Sequence, residues 1–297
     1  MGTPDYADAI LKALIEDAEI EVVALFTQPD KPVGRKKVLT PPPTKVTALE
    51  ADIPVFQPNS LKKEDHSEII KDLKPDFLIV AAFGQILPKE VLDIAPSINL
   101  HASILPAFRG ASPIQQSLLA GDSKTGVTAM LMDVGMDTGD IITIEEVDIP
   151  QDMLSFELFD LLTIVAAKLT VKVIHEFKSF TIKAQDDTKA TYCSKITKAD
   201  GEIIFDDALT VYNRYRAFTP WPGIFLESGL KLKKIALASK EGSYSAGEIL
   251  SIDDEKIEVG CSQGSLYVYS VQPLSKKEMD MKSFINGQRL AVADTLA

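Results

Sequence analysis

Short apolar segments that alternate with helical stretches constrain the fold of this chain more than any other feature. Residues 77–82 form a continuous apolar run with no polar residue at every second position. Such strands belong to parallel sheets whose two faces are both covered. Further strands are predicted at 21–26, near Val55, at 98–101 and at 127–134. Their alternation with helices predicts a doubly wound, Rossmann-like α/β domain.

The helices between these strands are predicted from apolar residues that recur at helical spacing. Their predicted ranges are 5–17, 45–51, 64–73, 112–120 and 156–177. The stretch 29–43 contains Gly34 and five prolines, which lack the N–H that helices and ladders need. We therefore predict a loop there.

The start of the sequence departs from a doubly wound pattern. Such a sheet ordinarily begins with a buried strand, yet Met1 runs straight into Gly2, Thr3, Pro4 and a helix. We expect the first strand to be missing from this sequence, with Met1 an internal methionine at its end.

The composition changes after Phe180. Residues 181–199 are polar and lack a helical stripe, which predicts a linker. One helix is predicted at 209–218, followed by short strands at 223–227, 231–238, 247–251, 256–261 and 265–271. Short strands separated by Gly, Asp and Ser turns favour a small OB-like β-barrel. We therefore predict domains at 1–180 and 200–297, joined by that linker.

Composition and charge bear on whether the chain could be a membrane protein, a disulfide-bonded or metal-binding protein, or a nucleic-acid-binding protein. Apolar runs are far shorter than the ~20 residues that span a bilayer. Cys193 and Cys261 lie far apart without a metal-binding pattern, as expected of reduced thiols in a cytoplasmic protein. The net charge of −12 argues against loose, charge-driven binding of nucleic acid. However, residues 31–45 contain five basic side chains and no acidic one.

One constellation of polar residues suggests chemistry. Asn99 and His101 lie two residues apart, hence on one face of a strand, and the carboxyl end of such a strand is where α/β sheets bind ligands. Asp137 lies in a glycine-flanked acidic loop after another strand. An amide, an imidazole and a carboxylate suit acyl transfer to an amine, because they can stabilise an oxyanion and move protons without a covalent intermediate.

Other interpretations of these residues are structural or metal-binding. A histidine at a strand end is often structural, and carboxylates often decorate turns. The acidic loop lacks the D-x-D-x-D-G spacing of a calcium site, and no Cys/His/acid cluster forms a zinc site. No G-x-G-x-x-G follows a strand, which disfavours a dehydrogenase. We predict no metal.

The motifs around these residues resemble those of a known family. Residues 99–106 (NLHASILP), 109–115 (RGASPIQ), 125–128 (TGVT) and 133–139 (DVGMDTG) closely resemble the signature of 10-formyltetrahydrofolate-dependent formyltransferases. The resemblance implies that Asn99, His101 and Asp137 are catalytic. Residues 82–88 (AFGQILP) are similar to the family's folate-binding loop.

The resemblance also implies the contacts with the folate co-substrate. These are assigned to Phe83, Gly84, Gln85, Ile86, Leu87, Ser103, Leu105, Pro106 and Asp133.

Within the family, the members that formylate methionyl-tRNA are similar along almost the whole chain, including 2–5, 26–32 and 216–223. In those members the loop matching 32–43 inserts into the acceptor stem of the initiator tRNA. The resemblance therefore implies that Arg35, Lys36 and Lys37 contact tRNA, and that the second domain also binds it. We expect a monomer that binds methionyl initiator tRNA and folate, with no membrane partner.

Several alternatives remain open. A sugar-nucleotide amine formyltransferase shares the fold and the three catalytic residues, but would not need the basic, proline-rich loop. A purine-pathway formyltransferase would not explain the second domain. A tRNA- or folate-binding protein that has lost catalysis is disfavoured by the intact Asn99, His101 and Asp137.

Overall fold

The structure is a computed structural model that describes residues 1–34, 36–62 and 64–296. The chain divides into two compact units. Unit 1 comprises Met1–Pro113, Lys124–Asp148 and Phe159–Cys193. Unit 2 comprises Ile114–Ser123, Ile149–Leu158 and Ser194–Ala297.

Helices and strands alternate through the first 193 residues. The helices are α1 (Asp5–Glu16), α2 (Pro43–Glu50), α3 (Glu64–Asp72), α4 (Lys89–Leu92), α5 (Pro113–Ala120) and α6 (Ser155–Glu176). The strands are β1 (Leu25–Phe26), β2 (Lys31–Val33), β3 (Val38–Thr40), β4 (Val55–Phe56), β5 (Leu78–Val80), β6 (Ser97–His101), β7 (Arg109–Gly110), β8 (Lys124–Leu131), β9 (Ile141–Asp148) and β10 (Tyr192–Cys193).

Helix α1 shows why these segments are helical. Tyr6, Ile10 and Leu14 recur every fourth residue and are all buried, so that one stripe of the helix packs into the core. Asp5 and Asp8 lie in the first turn, where the positive end of the helix dipole favours carboxylates.

The main sheet of unit 1 has the strand order β5-β6-β8-β9. Strands β5 and β6 are parallel, whereas β8 is antiparallel to both β6 and β9. The predicted Rossmann-like fold is confirmed, but the alternation of elements could not give the direction of β8. Strand β9 was not predicted, because its second half alternates poorly and is largely exposed.

The prediction of a loop without ladder strands at 29–43 was wrong in part. Strands β2 and β3 form an antiparallel hairpin in which Pro32 pairs with Leu39. A proline is tolerated here because a two-stranded ribbon leaves one side of each strand without a partner.

A gap separates β5 from the parallel pair β1–β4. Met1 and Gly2 bridge it: the Gly2 N–H donates to the Phe26 carbonyl at 3.1 Å, and the Ala81 N–H donates to the Met1 carbonyl at 3.0 Å. Beyond these bonds lies a cavity of about 1290 Å³, lined by α1 and by residues 19–25 and 73–77, among others.

Unit 2 contains one antiparallel sheet. Its strands are β11 (Ile224–Phe225), β12 (Lys231–Ser239), β13 (Ile249–Ile252), β14 (Ile257–Gly260), β15 (Ser265–Gln272) and β16 (Met279–Asp280), accompanied by α7 (Ala208–Phe218) and α8 (Met281–Gln288). The strand order is β11-β12-β15-β14-β13, and β16 pairs with β15. A second domain rich in antiparallel strands is therefore confirmed.

The longest helix, α6, has 22 residues. Within the described ranges, no helix combines the length and apolar character needed to cross a bilayer.

An ion pair between α6 and the end of α1 makes the stability of unit 1 depend on pH. His175 Nε2 lies 3.0 Å from Asp17 Oδ2, and this hydrogen bond raises the pKa of His175 above its ordinary value. A raised pKa stabilises the folded state at low pH, where the imidazole is charged in both states. That stabilisation is lost as the pH rises through the pKa of the folded state.

We therefore expect His175→Gln to lower the melting temperature most at pH ~6, below the ordinary histidine pKa of ~6.5. The difference from the native protein should shrink steadily as the pH rises above that value. Calorimetry across this range measures it, with Asp17→Asn as the matched partner variant. A difference that stayed constant with pH would contradict the assignment.

Candidate active site

Asn99 and His101 lie at the carboxyl end of β6, in the middle of the main sheet. Asn99 is paired with Val80 on β5 and with Met130 on β8. Both side chains project from the same face because they are two residues apart on a strand. His101 is only 6% exposed, whereas Asn99 is half-buried.

The turn after β6 places the backbone of Phe108 next to the imidazole of His101. The Ser103 hydroxyl donates to the Ala107 carbonyl at 2.6 Å, which closes the turn. Phe108 follows with a φ of 60°, in the left-handed region. Its carbonyl lies 2.9 Å from His101 Nε2. Since a carbonyl can only accept, Nε2 must carry the proton, and in the neutral ring Nδ1 keeps a free lone pair.

Asp137 completes the cluster from the loop between β8 and β9. Its Oδ1 accepts from Asn99 Nδ2 at 3.3 Å, and its Oδ2 accepts from the Gly110 N–H at 2.8 Å. Oδ2 also lies 3.6 Å from His101 Nδ1. The carboxylate thus faces Nδ1, the ring nitrogen opposite the one that donates to Phe108, and the three predicted catalytic side chains are together.

Two residues behind Asp137 were missed by the sequence analysis. Gln185 Nε2 donates to the carbonyls of Asp137 and Gly139, at 2.9 and 2.6 Å. Gln185 Oε1 in turn accepts from the guanidinium of Arg109. Arg109 begins the motif at 109–115, but no role was assigned to it. Gln185 lies in the predicted linker 181–199, and a polar residue in a polar stretch does not indicate a site.

Strand β10 brings a thiol close to this cluster. Cys193 Sγ lies 3.4 Å from the carbonyl of Phe108 and 3.4 Å from the N–H of Ser112. Burial raises the pKa of the Cys193 thiol, so the group stays protonated and is a poor nucleophile at neutral pH. The cluster is therefore suited to acid–base and oxyanion chemistry and not to nucleophilic attack by the enzyme.

The predicted folate loop leaves β5 with unusual backbone geometry. Ala82 and Gly84 have φ values of 44° and 72°. The side chains of Phe83 and Leu87 are buried in the core, whereas Ile86 is 72% exposed. The Gln85 side chain bonds to the backbone of Pro58 and Leu61. Contacts with a ligand would therefore come from backbone groups and from Ile86.

The other predicted folate contacts have different environments. Ser103 and Leu105 are buried. The Leu105 N–H donates to Thr128 Oγ1, and that hydroxyl donates to the Ser103 carbonyl. Pro106 is half-buried. Asp133 is exposed, and its Oδ1 accepts from the Gly135 N–H and the Thr138 hydroxyl, which shapes the loop that carries Asp137.

Two of the residues predicted to contact tRNA, Lys36 and Lys37, belong to the turn of the β2–β3 hairpin. Lys36 and Lys37 are exposed, and Lys37 has a φ of 49°. Arg35 lies outside the described residues. Val33, Val38 and Leu39 leave more than half of their surface exposed beside this turn.

No group of three or more His, Cys, Asp or Glu side chains in the described part of the chain is arranged to hold a metal ion.

Comparison with known proteins covers both units. The formyl transferase family matches residues 1–174, and its C-terminal domain family matches residues 195–289. A methionyl-tRNA formyltransferase of Sulfurimonas denitrificans is 56% identical over 297 residues, covering 100% of this chain and 98% of the relative. One of a Nitratiruptor species is 54% identical, covering 99% and 98%.

A solved structure shares the fold. The sugar 3N-formyl transferase WlaRD, crystallised in the presence of dTDP and 5-N-formyl-THF, matches with a TM-score of 0.68 at 18% identity. The match covers 93% of this chain and 97% of that one.

Gly110 is a position where the site tolerates substitution poorly. Its φ is 117°, and a Cβ atom there would lie 2.3 Å from the Cys193 carbonyl oxygen. We expect Gly110→Ala to lower the free energy of unfolding by ~3 kcal/mol and to displace the N–H that holds Asp137. Urea unfolding and a rate assay measure the two effects.

Gly34→Ala is the matched control, because Gly34 also has a positive φ of 71°, yet a Cβ atom added there would meet no described residue within 4 Å. It should cost only ~1 kcal/mol. Equal losses for the two variants would show that contact with Cys193 is unimportant.

Proposed function

The chain belongs to the formyl transferase family, and from that membership we propose that it formylates methionyl initiator tRNA. The formyl group of 10-formyltetrahydrofolate is transferred to the α-amino group of the methionine. The product is N-formylmethionyl-tRNA, which serves translation initiation. The observation that carries the proposal is identity above 50% to methionyl-tRNA formyltransferases over the whole chain.

Folate is the proposed formyl donor. The family and the formylated folate named with the WlaRD structure support it. In this chain, the backbone of 82–87 with its left-handed residues, together with exposed Ile86, offers polar groups and an apolar side chain to a planar ring. We propose no metal in the reaction.

The proposed mechanism is direct attack of the amine on the formyl carbon. An α-amino group with a pKa of ~7.7–8.0 has a substantial neutral fraction at physiological pH, and this fraction is the nucleophile. Its nitrogen forms a bond to the formyl carbon, giving a tetrahedral oxyanion. The bond from that carbon to N10 then breaks, and N10 takes up a proton.

Each side chain of the cluster has a role in this scheme. Asn99 gives one N–H to Asp137 Oδ1, which leaves its second N–H for the oxyanion. Such a donor contributes ~2.7–4 kcal/mol where it has been measured. Nδ1 of neutral His101 accepts the proton of the amine, and Asp137 then stabilises the imidazolium across 3.6 Å.

We propose that the hairpin turn recognises the acceptor stem. Lys36 and Lys37 would pair with phosphates, and Arg35 with its planar guanidinium would complete the basic set. The second domain would also bind the tRNA. We further propose that the enzyme acts as a monomer in the cytoplasm.

The alternative of a sugar-nucleotide amine formyltransferase has weaker support. A sugar formyl transferase matches at 18% identity, which reflects the fold alone, whereas the methionyl-tRNA formyltransferases match at 56% and 54%. Formyl transfer to charged initiator tRNA, compared with transfer to an amino-sugar nucleotide, distinguishes the two. Faster transfer to the sugar would overturn the proposal.

We expect His101→Ala and Asp137→Asn each to lower kcat by ~10²–10⁴-fold, because proton transfer and imidazolium stabilisation are lost. Binding of the charged tRNA, measured by filter retention, should be unchanged. His66→Ala serves as the control for removal of an imidazole. Near-normal turnover by either site variant would refute the catalytic assignment.

We expect Lys36→Ala and Lys37→Ala to raise KM for the tRNA with kcat little changed. Each lost phosphate contact should also reduce the slope of log affinity against log salt by ~1. The exposed Lys89, which begins α4 and pairs with Asp93 just after that helix, gives the matched control Lys89→Ala. If all three variants behaved alike, the hairpin turn would not be the contact.

A further inference from the structure

Asp137 has a backbone conformation that is uncommon for a residue with a Cβ atom. Its φ of 55° lies in the left-handed region, which costs a residue with a Cβ atom of order 1 kcal/mol or more. Surrounding contacts must therefore hold it. The carboxylate contacts described above fix the tip of the side chain, while the main chain requires contacts of its own.

Gln185 supplies those main-chain contacts. Its amide donates to the carbonyls on both sides of Thr138, those of Asp137 and Gly139, at 2.9 and 2.6 Å. Its oxygen accepts from Arg109 Nε and Nη2 at 3.1 and 2.8 Å. A guanidinium can only donate and a carbonyl can only accept, so the amide has a single possible orientation.

Arg109 is in turn fixed by its surroundings. The side chain is 1% exposed, and its Nη2 also donates to Asp187 Oδ1 at 2.7 Å. Its Nη1 donates to the Tyr192 hydroxyl at 3.3 Å. A buried charge with this many partners is rigid, since leaving any donor unpaired is costly.

The segment that carries Gln185 is anchored at both ends to the loops of the site. We call residues 183–193 the strap. Lys183 exchanges two backbone hydrogen bonds with Ile141, at 2.8 and 2.9 Å. At the other end, the Arg109 N–H donates to the Thr191 carbonyl at 2.8 Å. Gln185 is therefore placed against the Asp137 loop by the backbone as well as by Arg109.

We propose that Gln185, oriented by Arg109, is a positioning residue for Asp137. It holds the left-handed backbone of Asp137 so that the carboxylate faces His101 and the Gly110 N–H. This inference rests on the proposed catalytic role of Asp137. A displacement of about 1 Å in a reacting group lowers rates by up to ~10²-fold.

The test uses the isosteric variant Gln185→Glu in the full chain. A glutamate still accepts from Arg109 but cannot donate to the two carbonyls, so that only the contact with the Asp137 loop is lost. We expect kcat for formylation of charged initiator tRNA to fall by ~10–100-fold, with KM for tRNA and folate donor within ~2-fold of native. Amide exchange of the peptide 132–140 should accelerate.

Gln185→Ala, which removes both sets of contacts, is the second variant and should show the same kcat loss. Lys189→Ala is the matched control, because Lys189 lies in the strap but pairs only with exposed Asp186 among the described residues. It should leave kcat and exchange unchanged. Melting temperatures of all three variants identify any general loss of the fold.

The outcomes separate this inference from the proposed function. A normal kcat and normal exchange for Gln185→Glu, while Asp137→Asn is inactive, would overturn the positioning role alone. Activity retained by Asp137→Asn would overturn the catalytic assignment itself. A loss shared equally by Lys189→Ala would show that the strap has only a general structural role.

Discussion

The buried guanidinium of Arg109 is the interaction on which the site depends. A charge removed from water must be surrounded by partners, and Arg109 meets this demand with Gln185, Asp187 and Tyr192. Those partners come from a segment more than seventy residues away in the sequence. The electrostatic requirement of one side chain therefore attaches the strap to β7.

The residues on either side of Arg109 in the chain contact the catalytic side chains through their backbone atoms. The carbonyl of Phe108 sets the tautomer of His101, and the N–H of Gly110 holds one oxygen of Asp137. Fixing β7 thus fixes the imidazole and the carboxylate relative to each other. Backbone groups therefore fix the positions of the two side chains in the site.

The fold class could be predicted because burial of strands and helices requires apolar residues at characteristic spacings in the sequence. The uninterrupted apolar run of β5 and the apolar stripe of α1 both follow from packing. The direction of a strand does not change the spacing of its apolar residues, so the antiparallel β8 could not be distinguished from a parallel strand. The second half of β9 and the whole β2–β3 hairpin are exposed, so burial does not impose on them the regular alternation that indicates a strand.

The same contrast applies to the candidate site. Asn99 and His101 could be found because they end a buried strand, and Asp137 because glycines flank it. The structure places the Asp137 carboxylate within 3.6 Å of the side chains of both Asn99 and His101. Gln185 had no such signal: its role comes from hydrogen bonds to distant backbone atoms, and a single glutamine in a polar stretch carries no trace of them.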